Sequence, residues 1–332
     1  MASPTAVRRG ATMKAIVQER YGSPDGLELR EIEAPVVADD RVLVRLRAAS
    51  VNAADWHLMK RLPHLVGRLL RMPVSRVRGG DMAGHVEAAG KDVTRFKPGD
   101  EVFGVGIGTF AEYATAFEDR LAPKPRNLTF EQAAAMPIAG CTALQGLRDK
   151  GQVKPGQRVL IYGAGGGVGT FAVQIAKALG AHVTAVTSTT NVHLVHSIGA
   201  DEVVDYTRDD FTKRGQRYDV LFDVGADRSF ADCGRALGPN GTLVLAGAAS
   251  GRGLAPMTRL LKALLLSRIA GRRIVPFLAR VRHDDLVVLK DLVEAGKLSP
   301  VIDREYPLKD VPDALRYLGT REARGKVVIK VA

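Results

Sequence analysis

Residues 163–169, GAGGGVG, follow the apolar run RVLIY and open the alanine-rich run TFAVQIAKALG. A strand, a glycine turn and a helix in that order bring backbone N–H groups onto a phosphate at the helix start. The register that fits is Ala164-x-Gly166-x-x-Gly169. Gly166 lets the backbone approach a pyrophosphate, and Gly169 lets the helix lie close on the strand. Ala164, Gly165, Gly166, Gly167, Val168 and Gly169 are therefore the candidate phosphate loop; the alternative is a tight structural turn. The next apolar run, AHVTAV, leads into Thr187, Ser188, Thr189 and Thr190, with no acid from Ala181 to Asn191. An NAD site usually ends that strand in Asp or Glu, which binds the ribose hydroxyl. Four hydroxyl side chains suit a 2′-phosphate instead, and the expected cofactor is NADPH. No Lys or Arg lies in the stretch, so the phosphate charge must be met elsewhere.

Chemistry of this kind needs a framework, and the rest of the chain supplies a rhythm. RVLIY, AHVTAV, EVVDY, YDVLFDV and TLVLAG alternate with helical stretches, which predicts a doubly wound parallel sheet with helices on both faces. RIVPF adds a further strand. Before residue 130 the texture is β-rich: MKAIV, LELREIEA, RVLVRLRAASV, HVEAAG and DEVFGV are punctuated by Gly, Pro and Asp. TFEQAAAMPIAGCTALQGL reads as one helical stretch, with Thr129 and Gln132 at capping-box spacing. After residue 284 come DDLVVLKDLVEAG, a helix near 311–319 and a last strand, GKVVIKVA. The expected fold class is α/β. Residues 1–12 form a disordered tail, 13–133 a β-rich domain completed by 284–332, and 134–283 the dinucleotide domain.

The 332 residues suit two domains. No apolar run reaches the roughly 18 residues a membrane helix needs. Two cysteines, Cys141 and Cys233, cannot build a disulfide framework and suit a reducing, cytoplasmic setting. The first twelve residues lack the apolar core of a secretory signal. The net charge of +12 is concentrated: residues 59–80 hold six Lys/Arg and residues 233–283 hold nine, neither with an acid. Elsewhere 33 basic residues face 36 acidic ones. The two patches read either as solvated surface with some cofactor-phosphate contacts or as weak contacts with an anionic membrane surface. No zinc finger, RNA-recognition signature or basic zipper is present, so nucleic acid is not an expected partner.

Six stretches together resemble the medium-chain dehydrogenase/reductase superfamily, in its zinc-free quinone oxidoreductase (zeta-crystallin-like) branch. They are ASVNAADWH (49–57), RGGDMAGHVEAAGKDVTRFKPGDEVFG (78–104), GTFAEYA (108–114), AGCTALQGL (139–147), GAGGGVGTFAVQIAKALGA (163–181) and RGKVVIKV (324–331). The resemblance runs from Met13 to Ala332 and is nearest to the reticulon-interacting mitochondrial oxidoreductase and plant enone oxidoreductases. It implies a GroES-like catalytic domain with a Rossmann domain inserted into it, an active site in the cleft, and homodimers, with RIVPF as a possible edge. Zinc-dependent members carry a cysteine at Asn52 and a His-Glu pair at Gly80-Asp81, and a four-cysteine lobe absent here. His193 and His196 have surface spacing with no partner nearby. No metal is expected.

Without a Lewis acid, hydride transfer onto an electron-poor acceptor is easier than alcohol oxidation, so quinones and α,β-unsaturated carbonyls fit. By resemblance, Asn52 sits beside the nicotinamide and substrate, and Thr142 faces the nicotinamide, with a helix-packing role as its alternative. His57 falls where quinone reductases commonly carry a tyrosine; it is a candidate donor to the substrate oxygen or a histidine satisfied by backbone. Asp55 ties its loop, and Trp56 forms a cleft wall or core. Tyr206 resembles the tyrosine near the 2′-phosphate, or else caps the third strand from the core. Gly247, Ala248, Val275 and Phe277 line the nicotinamide, and Lys326 is either a cation near the cofactor or a solvated lysine. The loop 57–79 borders the substrate entrance or is ordinary surface. Two rival readings stand: a nucleotide-binding protein without useful turnover, and a zinc alcohol dehydrogenase.

Overall fold

A computed structural model describes residues 10–19, 22–61, 77–225, 228–246 and 273–331. Gly247, Ala248, residues 1–9 of the tail and most of both basic stretches lie outside the described residues. The chain divides into two compact units, Met1–Ile138 with Val281–Ala295 and Pro300–Ala332, and Ala139–Arg280 with Gly296–Ser299.

The first unit is β-rich. Strands β1 (Thr12–Gln18) and β2 (Leu27–Glu33) form an antiparallel pair, so Thr12, expected in the tail, already belongs to a strand. Strand β3 (Val42–Val51) is the spine of the larger sheet. It pairs antiparallel along its length with β4 (Asp81–Ala89), which pairs with β5 (Glu101–Val105). Its first residues also pair with β6 (Tyr113–Ala116), and β7 (Leu121–Pro123) closes the edge beyond β5. Val42, Val44 and Leu46 alternate inward with Met82, Val86, Val102 and Leu121, while Arg45 and Arg47 stay outside. That period of two marks the face β3 turns to this core, while Leu43 and residues 48–51 are buried as well. Each such aliphatic side chain contributes about 1.5–3 kcal/mol on burial. Helix α1 (Ala53–Arg61) follows β3 directly.

One long helix was expected over 129–147, but Pro137 divides it. A short α2 (Phe130–Ala134) starts on the expected Thr129/Gln132 capping box, and α3 (Pro137–Leu144) begins at the proline. Proline lacks the N–H that would continue the helix but is well suited to a first position. A π-helical turn, Gln145–Lys150, follows.

In the second unit all strands are parallel. They are β8 (Arg158–Tyr162), β9 (His182–Thr187), β10 (Glu202–Asp205), β11 (Tyr218–Asp223), β12 (Leu237–Ala246) and β13 (Arg273–Phe277), in the order β10-β9-β8-β11-β12-β13. The order reverses at β8, which defines the switch point of a doubly wound fold. Helices α4 (Gly167–Ala178), α5 (Val192–Ser197) and α6 (Phe230–Ala236) connect the strands. α4 buries Phe171, Val173 and Ile175 and ends before Gly180, whose φ of +81° suits a residue without Cβ.

The chain then returns to the first unit through α7 (His283–Glu294). Gly296–Ser299 groups with the second unit, because Gln174 of α4 clamps Ser299: its Oε1 accepts from Ser299 N (2.8 Å) and its Nε2 donates to Ser299 O (3.0 Å). Strand β14 (Ile302–Pro307), helix α8 (Val311–Thr320) and strand β15 (Lys326–Lys330) complete the first unit. β15 lies antiparallel to β3 with Val327 opposite Val51. This register brings Lys326 beside Asn52. No described helix is long and apolar enough to cross a membrane.

Candidate active site

The loop glycines differ in what surrounds them. Gly163, one residue before the expected register begins at Ala164, turns the chain at φ +86°. The N–H groups of Gly163 and Ala164 both donate to Val186 O (3.1 Å each), tying the loop to β9. A Cβ on Gly165 would meet Asn191 Nδ2 at 2.6 Å and Thr187 Oγ1 at 2.7 Å. A Cβ on Gly169 would stand 2.1 Å from Gly163 O, so only glycine lets α4 close on the loop. At Gly166 the nearest atom would be 3.6 Å away, which leaves that face of the loop open. Gly167, Val168 and Gly169 open α4, where backbone N–H groups have no intrahelical acceptor. An open glycine beside unspent donors at a helix start fits a pyrophosphate.

At the ends of β9 and β10 the structure changes the sequence picture. Thr187 is buried, packed under the loop, and is not an exposed donor. Ser188 Oγ and Thr190 Oγ1 lie 3.1 Å apart. Thr189 Oγ1 donates to Asp205 Oδ2 (2.5 Å), so this hydroxyl already has an acceptor. The stretch 181–191 has no acid of its own, yet the register that sets Asp205 opposite Thr187 delivers one from the neighbouring strand. Hydrogen bonds from Thr189 and Thr207 hold the Asp205 carboxyl below the usual carboxylate range. The same turn brings a cation: Arg208 Nε is 3.7 Å from Asp205 Oδ2, with its side chain 77% exposed. Tyr206 is exposed, not a core cap, and its N–H donates to Thr187 O (3.0 Å). Val275 and Phe277 are half-buried on β13, and Thr142 is half-buried on α3.

The first unit contains a polar cluster in an apolar setting. Asn52 precedes α1, and its backbone N–H donates to Asp55 Oδ2 (2.8 Å), the reach-back half of a capping box. The Asn52 side chain is thereby left for tertiary contacts. Its Nδ2 donates to Asp81 Oδ2 (2.8 Å), and its Oδ1 accepts from Lys326 Nζ (2.6 Å). Lys326 Nζ also donates to Val51 O (3.2 Å) and lies 3.4 Å from Asp81 Oδ2. Asp81 further accepts from Ser50 Oγ (2.9 Å) and Ile138 N (2.9 Å). Lys326 is 3% exposed and Asp81 0%, so Lys326 is not a solvated lysine. Burial pulls the Lys326 pKa down, and the Asp81 and Asp55 carboxylates pull it back up. Burial drives the Asp55 carboxyl up to about 7, against the lowering effect of the Asn52 N–H.

Of the three candidate catalytic residues, Asn52 and His57 belong to the first unit and Thr142 to the second. His57 is exposed on α1. Trp56 is core: it packs on the cluster of Leu308, Val311 and Leu315, and a Cβ on Gly319 would meet its ring at 2.5 Å. His193 and His196 are exposed on α5. Sequence reasoning missed Gly163, Ser50, Asp205 and Arg208, and treated Asp81 only as a replaced ligand. A lone carboxylate opening the small, apolar stretch DMAG was the available signal for Asp81.

The family described as "Alcohol dehydrogenase GroES-like domain" matches residues 38–126, and "Zinc-binding dehydrogenase" matches residues 198–329. The NAD(P)H oxidoreductase RTN4IP1, mitochondrial, of Mus musculus is 33% identical over 98% of this chain and 91% of its own. The chain belongs to the medium-chain dehydrogenase/reductase superfamily, in its quinone-oxidoreductase branch. The 2-methylene-furan-3-one reductase of Solanum lycopersicum is 34% identical over 98% of this chain and 81% of its own length. The quinone oxidoreductase from Coxiella burnetii superposes with a TM-score of 0.86 at 30% identity, covering 97% of this chain and 100% of the other. The protein is thus an NAD(P)H-dependent oxidoreductase of this branch, with a GroES-like unit and a Rossmann unit. A zinc-binding dehydrogenase family implies a metal, but Asn52 and Asp81 do not fit one. Their oxygens already surround an ammonium, and the set lacks the thiolate and imidazole that zinc prefers.

Proposed function

We propose that the protein is an NADPH-dependent, metal-independent reductase acting on quinones or α,β-unsaturated carbonyls. The observation that carries this reading is the Asn52 cluster, an array of hydrogen-bonding groups organised by an ammonium in a chain that also holds a dinucleotide loop. Bound NADPH would supply the hydride. The loop Ala164–Gly169 would hold the pyrophosphate; Ser188, Thr190, Tyr206 and Arg208 the 2′-phosphate; and Gly247, Ala248, Val275, Phe277 and Thr142 the nicotinamide. Asn52 spends one Nδ2 hydrogen on Asp81 and, as a carboxamide, has a second. That N–H and His57 are the proposed donors to the substrate oxygen as negative charge develops on it. Relatives named for a quinone and for a methylene ketone support an acceptor in which a carbonyl conjugates with a double bond.

The test is oxidation of NADPH and NADH by the purified protein, with a metal chelator present, across simple quinones and conjugated enones. Turnover with NADPH that survives the chelator is expected. Loss of turnover on chelation, or NADPH binding with no acceptor reduced, overturns the reading.

A further inference from the structure

The Lys326 cage has more order than solubility or packing alone requires. An ammonium has three N–H donors, and three acceptors face it: Val51 O and Asn52 Oδ1 from the end of β3, and Asp81 Oδ2 from the start of β4. A neutral amine would turn its lone pair on one of these oxygens. Asp81 in turn receives only donors besides the ammonium, namely Ser50 Oγ, Asn52 Nδ2 and Ile138 N, as suits an ionised carboxylate. Asn52 therefore bridges a buried cation and a buried anion. Its carboxamide has one sense in which oxygen meets cation and N–H meets anion; the flipped sense puts N–H against ammonium and oxygen against carboxylate.

We propose that Lys326 is a positioning residue whose ammonium serves as a tethered cation, fixing with Asp81 the sense of the Asn52 carboxamide. Its role is thus different from that of a surface cation on the cofactor. A bound metal ion could orient a carbonyl oxygen in the same way; here the cation is delivered by the last strand. The link from this orientation to turnover rests on the reductase reading given above.

The experiment separates the two. K326M leaves the Asp81 charge buried and unpaired, so its melting temperature should fall and its kcat drop roughly 100-fold, the scale of a misplaced reacting group. D81N/K326M removes both charges. Its melting temperature should return toward wild type, while kcat stays low, because the cation and anion that fix the native sense of the Asn52 amide are both gone. KM for NADPH should change little in the double variant.

K326A gives a second arm, since propylammonium is the missing part of the side chain. Propylammonium should raise the K326A melting temperature by roughly 2–4 °C at saturating concentration and restore turnover. Tetramethylammonium, which has no N–H, should do neither. A folded D81N/K326M enzyme with wild-type kcat overturns the positioning role, and a K326A protein indifferent to propylammonium overturns the ammonium cage. If the wild type itself reduces no quinone or enone, the reductase reading fails while the melting arm still decides whether the cage takes an ammonium.

Discussion

At the scale of single residues, Asp55 makes the clearest prediction. Its folded pKa of about 7 stands above the ordinary 3.8, so the folded state binds its proton more tightly than the unfolded chain. Stability from this group is complete below pH 3.8 and is lost as pH rises through about 7. D55N keeps an oxygen for the Asn52 N–H and does not titrate. Denaturant unfolding of both proteins across this range should show wild type losing roughly 4 kcal/mol relative to D55N. An equal pH slope in the two proteins would mean that Asp55 titrates normally. On the reductase reading proposed above, cofactor choice would also be decided by single side chains: Ser188 and Thr190 would favour a 2′-phosphate, Arg208 would add a cation, and Asp205 would oppose both. R208A should therefore lower kcat/KM for NADPH roughly tenfold, the scale of one exposed charge-assisted contact, and leave NADH nearly unchanged. Steady-state kinetics with the two cofactors checks it.

At the scale of elements, the strand–loop–helix from β8 to α4 was legible because its signals are local. Glycine spacing, an apolar strand and a helix stop at Gly180 all lie within a few residues of the contacts they make. The finer division of labour among the glycines was not legible, since it depends on which atoms approach each Cβ position. Gly169 is the tightest: a methyl there would sit 2.1 Å from Gly163 O. G169A should cost about 1–3 kcal/mol or more as the loop and helix are pushed apart. NADPH affinity by titration calorimetry should fall with it. G166A, where the nearest atom would be 3.6 Å away, should leave stability nearly intact and still weaken NADPH binding. The division of the helix at Pro137 could have been read from the proline itself; the alanine-rich pattern on both sides obscured it.

At the scale of the whole molecule, β13 ends the parallel sheet, with β12 on one side and no further strand paired to it among the described residues. Pro276 sits within that strand and withholds one N–H from the ladder, a feature tolerated at sheet edges. We expect this edge to serve as the contact in a homodimer, and light scattering should then give about twice the chain mass of 35.6 kDa. A monomer at micromolar concentration would remove the edge from consideration.

The sequence by itself determined the alternation of strands and helices and the glycine turn of the candidate phosphate loop, because those depend on period, turn chemistry and short spacing; the candidacy of Asn52 came from family resemblance. Only the tertiary structure decided what surrounds them. Asp205 reaches Thr189 from 16 positions away through parallel pairing, and Lys326 reaches Asn52 across 274 positions because β15 lies against β3. No periodicity encodes such a meeting. Charge and hydrogen-bond partners are set by which strands share a sheet, and that is a property of the folded chain.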